Sequence, residues 1–218
     1  MRAGTKRSLY TRNTREEFMF IKDTDFKRLL KKAYKGAGLL VGRTDDDILT
    51  VSGYSWTLEV KRTNFDRALL GELIKFIGEI PEKGMSVQYR DGEDPQITVG
   101  ETVYKGLSNK YIEEAETFQP GRVVIQTENI PSVVYQGLTE RSHILVPEKI
   151  SEIISYDQKK GELAPEYPKI YDKELIWTNY EHYFSCYIQF IRYLGEQQFM
   201  DAIRGHDVCW TCLVKDLV

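Results

Sequence analysis

The chain has 218 residues, with an apolar fraction of 41% and 12% aromatics, enough to build a packed core and to exclude wholesale disorder. No apolar run approaches the ~20 residues that span a bilayer, and the basic stretch 1–15 lacks the apolar segment of a secretory signal. Three cysteines, an odd number, do not make a disulfide framework, so a cytoplasmic, reducing compartment is expected.

The formal charge of -3 is unevenly spread. Residues 1–62 hold 14 Lys/Arg against 8 Asp/Glu, and residues 63–218 hold 16 against 25. A chain that is acidic overall but basic in one region can still bind a polyanion, because the local field governs the contact. A merely solvated Lys-rich helix accounts for the same numbers equally well.

Residues 17–22 form a short apolar run that suits a strand. Asp23, Thr24 and Asp25 then supply capping oxygens and negative charge where a helix dipole favours them. A helix over 25–35 places Phe26, Leu29, Leu30 and Ala33 on one face and Lys27, Arg28, Lys31, Lys32 and Lys35 on the other, and Gly36 and Gly38 end it. Strand-like runs follow at 39–43, 48–52 and 55–62, joined by Asp45-Asp46-Asp47 and Gly53-Tyr54 turns short enough to require antiparallel neighbours. A second helix is expected over 64–78, with Asn64 as its cap and Phe65, Leu69, Leu70, Leu73, Phe76 and Ile77 as its apolar stripe. Three more strands are expected at 85–90, 96–99 and 102–105, with hairpin signals at Asp91-Gly92 and Gly100-Glu101.

The later residues are less patterned. A helix over 111–118 is expected, then extended runs at 122–127, 132–136 and 142–146, and a helix from Pro147 through Tyr156. Residues 158–168 read as a loop, and the apolar spacing over 180–203 suits a helix broken near Gly195. The expected plan is α+β with antiparallel sheets: a basic tail at 1–16, one domain at 17–107 and a second α+β domain at 108–218.

The order strand, helix, three strands, helix, three strands over 17–107 resembles the N-terminal domain of the bacterial β sliding clamp, the beta subunit of DNA polymerase III. The similarity lies in Phe76-Ile77-Gly78-Glu79-Ile80-Pro81, which resembles that family's aromatic-rich helix ending in Leu-Pro. It continues in Ile97-Thr98-Val99-Gly100 with Val103-Tyr104-Lys105-Gly106-Leu107, and in the acidic turn Asp45-Asp46-Asp47 with its following strand. Residues 108–218 do not reproduce the family's later domains. The resemblance implies a non-enzymatic, DNA-associated protein whose helices face duplex phosphates, with double-stranded DNA and replication proteins as partners. It also implies a homo-oligomer, and two clamp-type domains per chain would need three chains to close a six-domain ring. The residues that would meet phosphate are Lys27, Arg28, Lys31, Lys32 and Lys35, joined by Arg67 and Lys75 on the second helix.

A small protein-interaction module of the immunity or inhibitor type, working through an acidic surface, is the alternative. An enzyme without a recognisable signature comes third. No P-loop, G-x-G-x-x-G, G-x-S-x-G or H-E-x-x-H pattern occurs, and no catalytic residue or cofactor is assigned. His182 and Cys186, at i and i+4 on the expected helix, could join Cys209 and Cys212 around zinc. Burial of these cysteines in a core is the preferred reading, so no metal is assigned. Asp45–Asp47 read as hairpin turn rather than cation site, His143 as structural, and the aromatic run Tyr171, Trp177, Tyr180, Tyr183, Tyr187 and Tyr193 as core or protein interface.

Overall fold

The computed structural model describes residues 20–99, 103–111, 113–127, 130–139, 142–156, 165–179 and 181–190. Its first helix, α1 (Asp23–Lys35), buries Phe26, Leu29, Leu30 and Ala33, the apolar face read from spacing. The chain leaves it through Gly38, at φ 102°, whose N–H donates to the Ala33 carbonyl. β1 (Leu39–Arg43), β2 (Ile48–Ser52) and β3 (Trp56–Lys61) follow as an antiparallel meander. The β1–β2 turn is held by Asp47, in the left-handed region at φ 66°, whose carboxylate accepts from Arg43 Nε at 2.6 Å.

Helix α2 (Arg67–Ile77) starts later than expected. Asp66, not Asn64, caps it, accepting from the N–H groups of Ala68 and Leu69, because residues Arg62–Asn64 form a 3-10 turn first. β4 (Met85–Tyr89) and β5 (Gln96–Val99) are present. Residues 100–102 lie outside the described residues, and 103–105 are not a strand: they cross the sheet as a strap leading into the short helix α3 (Leu107–Lys110). The helix expected over 111–118 is absent, since Phe118 already begins β6 (Phe118–Thr127). β7 (Ile130–Gly137) and β8 (His143–Pro147) complete the three expected extended runs, and the helix after Pro147 is one turn, α4 (Glu148–Ser151).

β9 (Lys169–Tyr171), β10 (Glu174–Thr178), β11 (His182–Tyr187) and β12 (Gln189–Phe190) occupy the region where a helix was expected from residue 180. His182, Phe184 and Cys186 alternate with Tyr183, Ser185 and Tyr187, a period of two that this aromatic-rich segment satisfies as a strand. The continuation beyond 190, residues 17–19 of the strand expected over 17–22, and the basic tail lie outside the described residues. Phe20 and Lys22 exchange backbone hydrogen bonds with residues 153–155 around an Ile21–Ile154 bridge.

The fold is mixed α+β with two antiparallel sheets. The larger has the order β5-β4-β1-β2-β3-β11-β10-β9, the smaller β12-β8-β7-β6. β11 slots beside β3, pairing His182 with Val60 and Cys186 with Trp56, so one sheet holds strands from both halves of the chain. The front face of this sheet is apolar: Leu39, Val41, Leu49, Val51, Trp56, Leu58, Val60, Leu175, Trp177, Phe184 and Cys186 are all buried. α1 and α2 share that core, as do Tyr135, Ile144, Val146 and Ile150 of the smaller sheet and α4. Ring contacts run Phe26–Trp56–Phe184–Trp177–Tyr135 at 5.9, 6.1, 5.9 and 6.2 Å.

The back face is largely polar, with Ile176 buried beside Ser185, and yet also covered. One cross-strand row reads Ser86, Gly42, Thr50, Glu59, Tyr183, Thr178, and the next Ser52, Thr57, Ser185. Thr50, Ser52, Thr57, Glu59, Ser86, Thr178 and Ser185 are each less than a tenth exposed.

Candidate functional site

The helix layer on the front of the sheet carries the cations read from the sequence. Because α1 spends Phe26, Leu29, Leu30 and Ala33 on the core, its remaining positions must face outward, and Lys27, Arg28, Lys31, Lys32 and Lys35 are all exposed. Arg67 and Lys75 on α2 are exposed too. The two helices are joined at their seam by Glu72, which sits 2.9 Å from Lys27 and 2.7 Å from Lys75. Lys75 and then Lys27 hold its carboxyl below the ordinary value. Arg28 pairs with Asp25 at 3.0 Å within the same helix. Lys31, Lys32 and Lys35 have no carboxylate within ion-pair distance among the described residues. Among the described residues they are left without an ion-pair partner, and the last two also lie in the final turn, where the helix dipole favours cations.

The back face holds a second charged arrangement that the sequence reading missed. Glu59, 2% exposed, stands in the middle of β3 and points away from the helices. The strap supplies its partners: the Lys105 N–H donates to Oε1 at 2.5 Å and the Leu107 N–H to Oε2 at 2.8 Å. Gly106 between them adopts the left-handed conformation, φ 64° and ψ 45°, which turns successive N–H groups toward one anion. Burial pushes the Glu59 carboxyl above its ordinary value, although the N–H groups of Leu107, Lys105 and Gly106 and the Lys110 ammonium pull the other way. The strap is also seated by shape. Val103 N–H donates to Ser86 Oγ at 3.2 Å, and the Val103 side chain fills the place of a Cβ that Gly42 lacks.

From there the strap reaches Glu174 of β10. Lys105 Nζ lies 3.0 Å from Glu174 Oε1 and Lys110 Nζ 3.2 Å from Oε2, while the two ammoniums sit over the rings of Tyr187 and Tyr171, 5.2 and 5.6 Å from the centroids. The signal that could have found Glu59 was its place in Trp56-Thr57-Leu58-Glu59-Val60: a carboxylate in a strand that later proves central needs a donor from elsewhere in the chain.

The two zinc candidates among the described residues, His182 and Cys186, do not come together. His182 and Cys186 lie on a strand, where four residues span roughly 13 Å, too far for one tetrahedral ion. The His182 ring is already occupied, with Nδ1 3.0 Å from Asn179 Oδ1 and Nε2 2.9 Å from the Asn64 carbonyl oxygen. Cys186 packs in the front core, where burial pushes its thiol up. Cys209 and Cys212 lie outside the described residues. Among the described residues no group of three His, Cys, Asp or Glu is arranged to hold a metal ion. Asp45 and Asp47 serve the β1–β2 turn, the first through its carbonyl oxygen accepting from Lys83 Nζ at 2.7 Å. Of the aromatic run, Trp177 is core, Tyr171 and Tyr187 are exposed, Tyr183 is half-buried, and Tyr180 and Tyr193 lie outside the described residues.

No protein-family model and no curated protein matches this chain. Its functional reading therefore rests on the charge and geometry of these two layers. No helix is long and apolar enough to cross a membrane among the described residues.

Proposed function

We propose that the chain is a non-enzymatic, DNA-associated protein that lays the outer face of α1 and α2 against the phosphates of duplex DNA. The observation that supports this reading is the trio Lys31, Lys32 and Lys35. These cations are exposed and, among the described residues, without an ion-pair partner, on a helix whose other face is fixed in the core. The helix backbone that carries them is already ordered and loses little freedom on meeting a polyanion, and each phosphate contact releases counterions, so affinity is gained without sequence discrimination. α1 alone carries a net charge of +3 from Lys27, Arg28, Lys31, Lys32 and Lys35 against Asp23 and Asp25. Two helices side by side over one face of an antiparallel sheet suit the sliding-clamp likeness, in which helices face the duplex and sheets face outward. Closure of a ring around DNA is the further step of the same proposal.

Fluorescence anisotropy with a labelled duplex tests the contact. Binding is expected at low salt, and three to four phosphate contacts predict a loss of roughly 40- to 150-fold between about 50 and 200 mM salt. Reversal of Lys31, Lys32 and Lys35 to Glu is expected to abolish binding and to lower the thermal midpoint by several degrees without unfolding the chain, since Lys32 and Lys35 lie where the helix dipole favours cations. Absence of duplex binding at low salt, or binding that survives the triple reversal, removes the reading. Retention on circular DNA that is lost on linearisation, with a closed oligomer by light scattering, tests the ring separately.

A further inference from the structure

We infer that the back face of the large sheet carries a second binding surface, for single-stranded nucleic acid, built from tyrosines interleaved with lysines. Tyr171, Glu174 and Tyr187 are cross-strand neighbours on β9, β10 and β11 and project from the same face. At about 5 Å per strand the two tyrosines stand roughly 10 Å apart. The β2–β3 turn adjoins them, because the Tyr187 N–H donates to the Ser55 carbonyl at 3.0 Å, and it brings Tyr54 to the same end of the sheet. Tyr54, Tyr171 and Tyr187 are 87%, 41% and 50% exposed, and the other tyrosines among the described residues are half-buried or buried.

The cations there are held in position. Glu174, 6% exposed, ties down both Lys105 and Lys110, which leaves the trio with one positive charge in excess. Asp172 and Lys173 in the neighbouring β9–β10 turn cancel one another. A core role does not explain three large aromatic side chains left open at one end of a sheet. Pinning the strap explains why the lysines sit over the rings but not why the rings are exposed. Bases stack on exposed aromatic side chains whatever their sequence, and nearby ammoniums meet the backbone phosphates. A duplex hides its base faces inside the stack, so this surface selects single strands. It lies on the opposite face of the sheet from α1 and α2 and does not depend on the duplex reading above.

The test is anisotropy of a fluorescein-labelled oligothymidylate with the full chain at low salt, oligouridylate in parallel deciding between DNA and RNA. Tyr171→Ala and Tyr187→Ala are each expected to weaken binding about tenfold or more, and Tyr171→Phe and Tyr187→Phe to retain it, since a phenyl ring stacks as well as a phenol. Melting midpoints should not separate the Ala from the Phe variants by enough to explain the loss. Reversal of Lys31, Lys32 and Lys35 should leave this binding intact. Absence of oligonucleotide binding overturns the inference. So does binding indifferent to both Ala substitutions, or binding removed by the α1 reversal instead.

Discussion

Glu59 is the residue whose replacement tests the back-face architecture most directly. In Glu59→Ala the N–H groups of Lys105 and Leu107, now hydrogen-bonded at 2.5 and 2.8 Å, lose their acceptor, the first in a part-buried setting and the second in a buried one. An orphaned buried donor costs about 1–3 kcal/mol, so two cost roughly 2–6 kcal/mol, and water entering the vacated space draws the result toward about 3 kcal/mol. Glu59→Gln keeps one acceptor but faces the other N–H with an amide donor, and relieves the burial of a charge; about 2 kcal/mol is expected. The measurement is urea unfolding, paired with hydrogen exchange, in which the amides of Lys105 and Leu107 should lose protection before those of β2 and β3. A pH series adds a signed check. Because burial raises the folded-state carboxyl above its unfolded value, Glu59 contributes most at low pH. That contribution is lost as pH rises through the raised folded-state value. The stability gap between the native chain and Glu59→Gln should therefore narrow over that range. An Ala variant costing under about 1 kcal/mol would refute the account of the strap as held by Glu59, and a gap that widens with pH would show instead that the N–H groups outweigh burial at that carboxyl.

Three shorter expectations follow from the same packing. A Cβ at position 42 would lie 2.6 Å from Val103 Cγ2 and 2.8 Å from Ser86 Oγ, so Gly42→Ala should cost about 1–3 kcal/mol, and Val103→Ala should partly rescue it in a double-mutant cycle. Asp66→Ala removes the acceptor for two N–H groups at the start of α2 and should cost about 1 kcal/mol by thermal unfolding. Cys186, 1% exposed with its thiol pushed up by burial, should resist alkylation in the native protein, as peptide mapping would show, and react once the chain is unfolded.

What the sequence made legible was local. The four buried residues of α1 follow from 3.6-residue spacing, and the β1–β2–β3 meander from turn residues between short alternating runs, because both depend on neighbours a few positions away. The basic face of α1 came with them, since whatever the core leaves over must face outward. The pairing of β11 with β3 was not legible: residues 182–186 meet 56–60, and no periodicity encodes a partner that distant. Without that partner, the spacing of His182, Cys186 and the aromatics near them suited a helix as well as a strand. The same gap hid the second charged site. Alternation in β3 places Glu59 opposite the core, which reads as solvent until the strap is known to cover it. The helix expected over 111–118 failed for a different reason. Its acidic residues favour a helix locally, but the pairing of Phe118 with Gly137 of β7 draws the chain into a strand.

The strap is anchored at two carboxylates, one early and one late in the chain, and the physics of their partners decides which matters more. Glu174 holds two ammoniums at 3.0 and 3.2 Å, but those lysine side chains are 29% exposed and carry their charge on flexible stems. If Glu174 is replaced by Gln, Lys105 and Lys110 can turn into water and keep their hydration, so a cost of about 1 kcal/mol is expected, close to that of an exposed ion pair. The donors that meet Glu59 have no such escape. They are backbone N–H groups at fixed positions in a turn whose Gly106 already occupies the left-handed region, and freeing them means lifting the strap from the sheet. Glu59→Gln should therefore be the more damaging of the two substitutions in the same urea titration, although both remove one negative charge from the same face. Equal costs would mean that the charge balance of the back face, rather than the satisfaction of those N–H groups, keeps the strap in place.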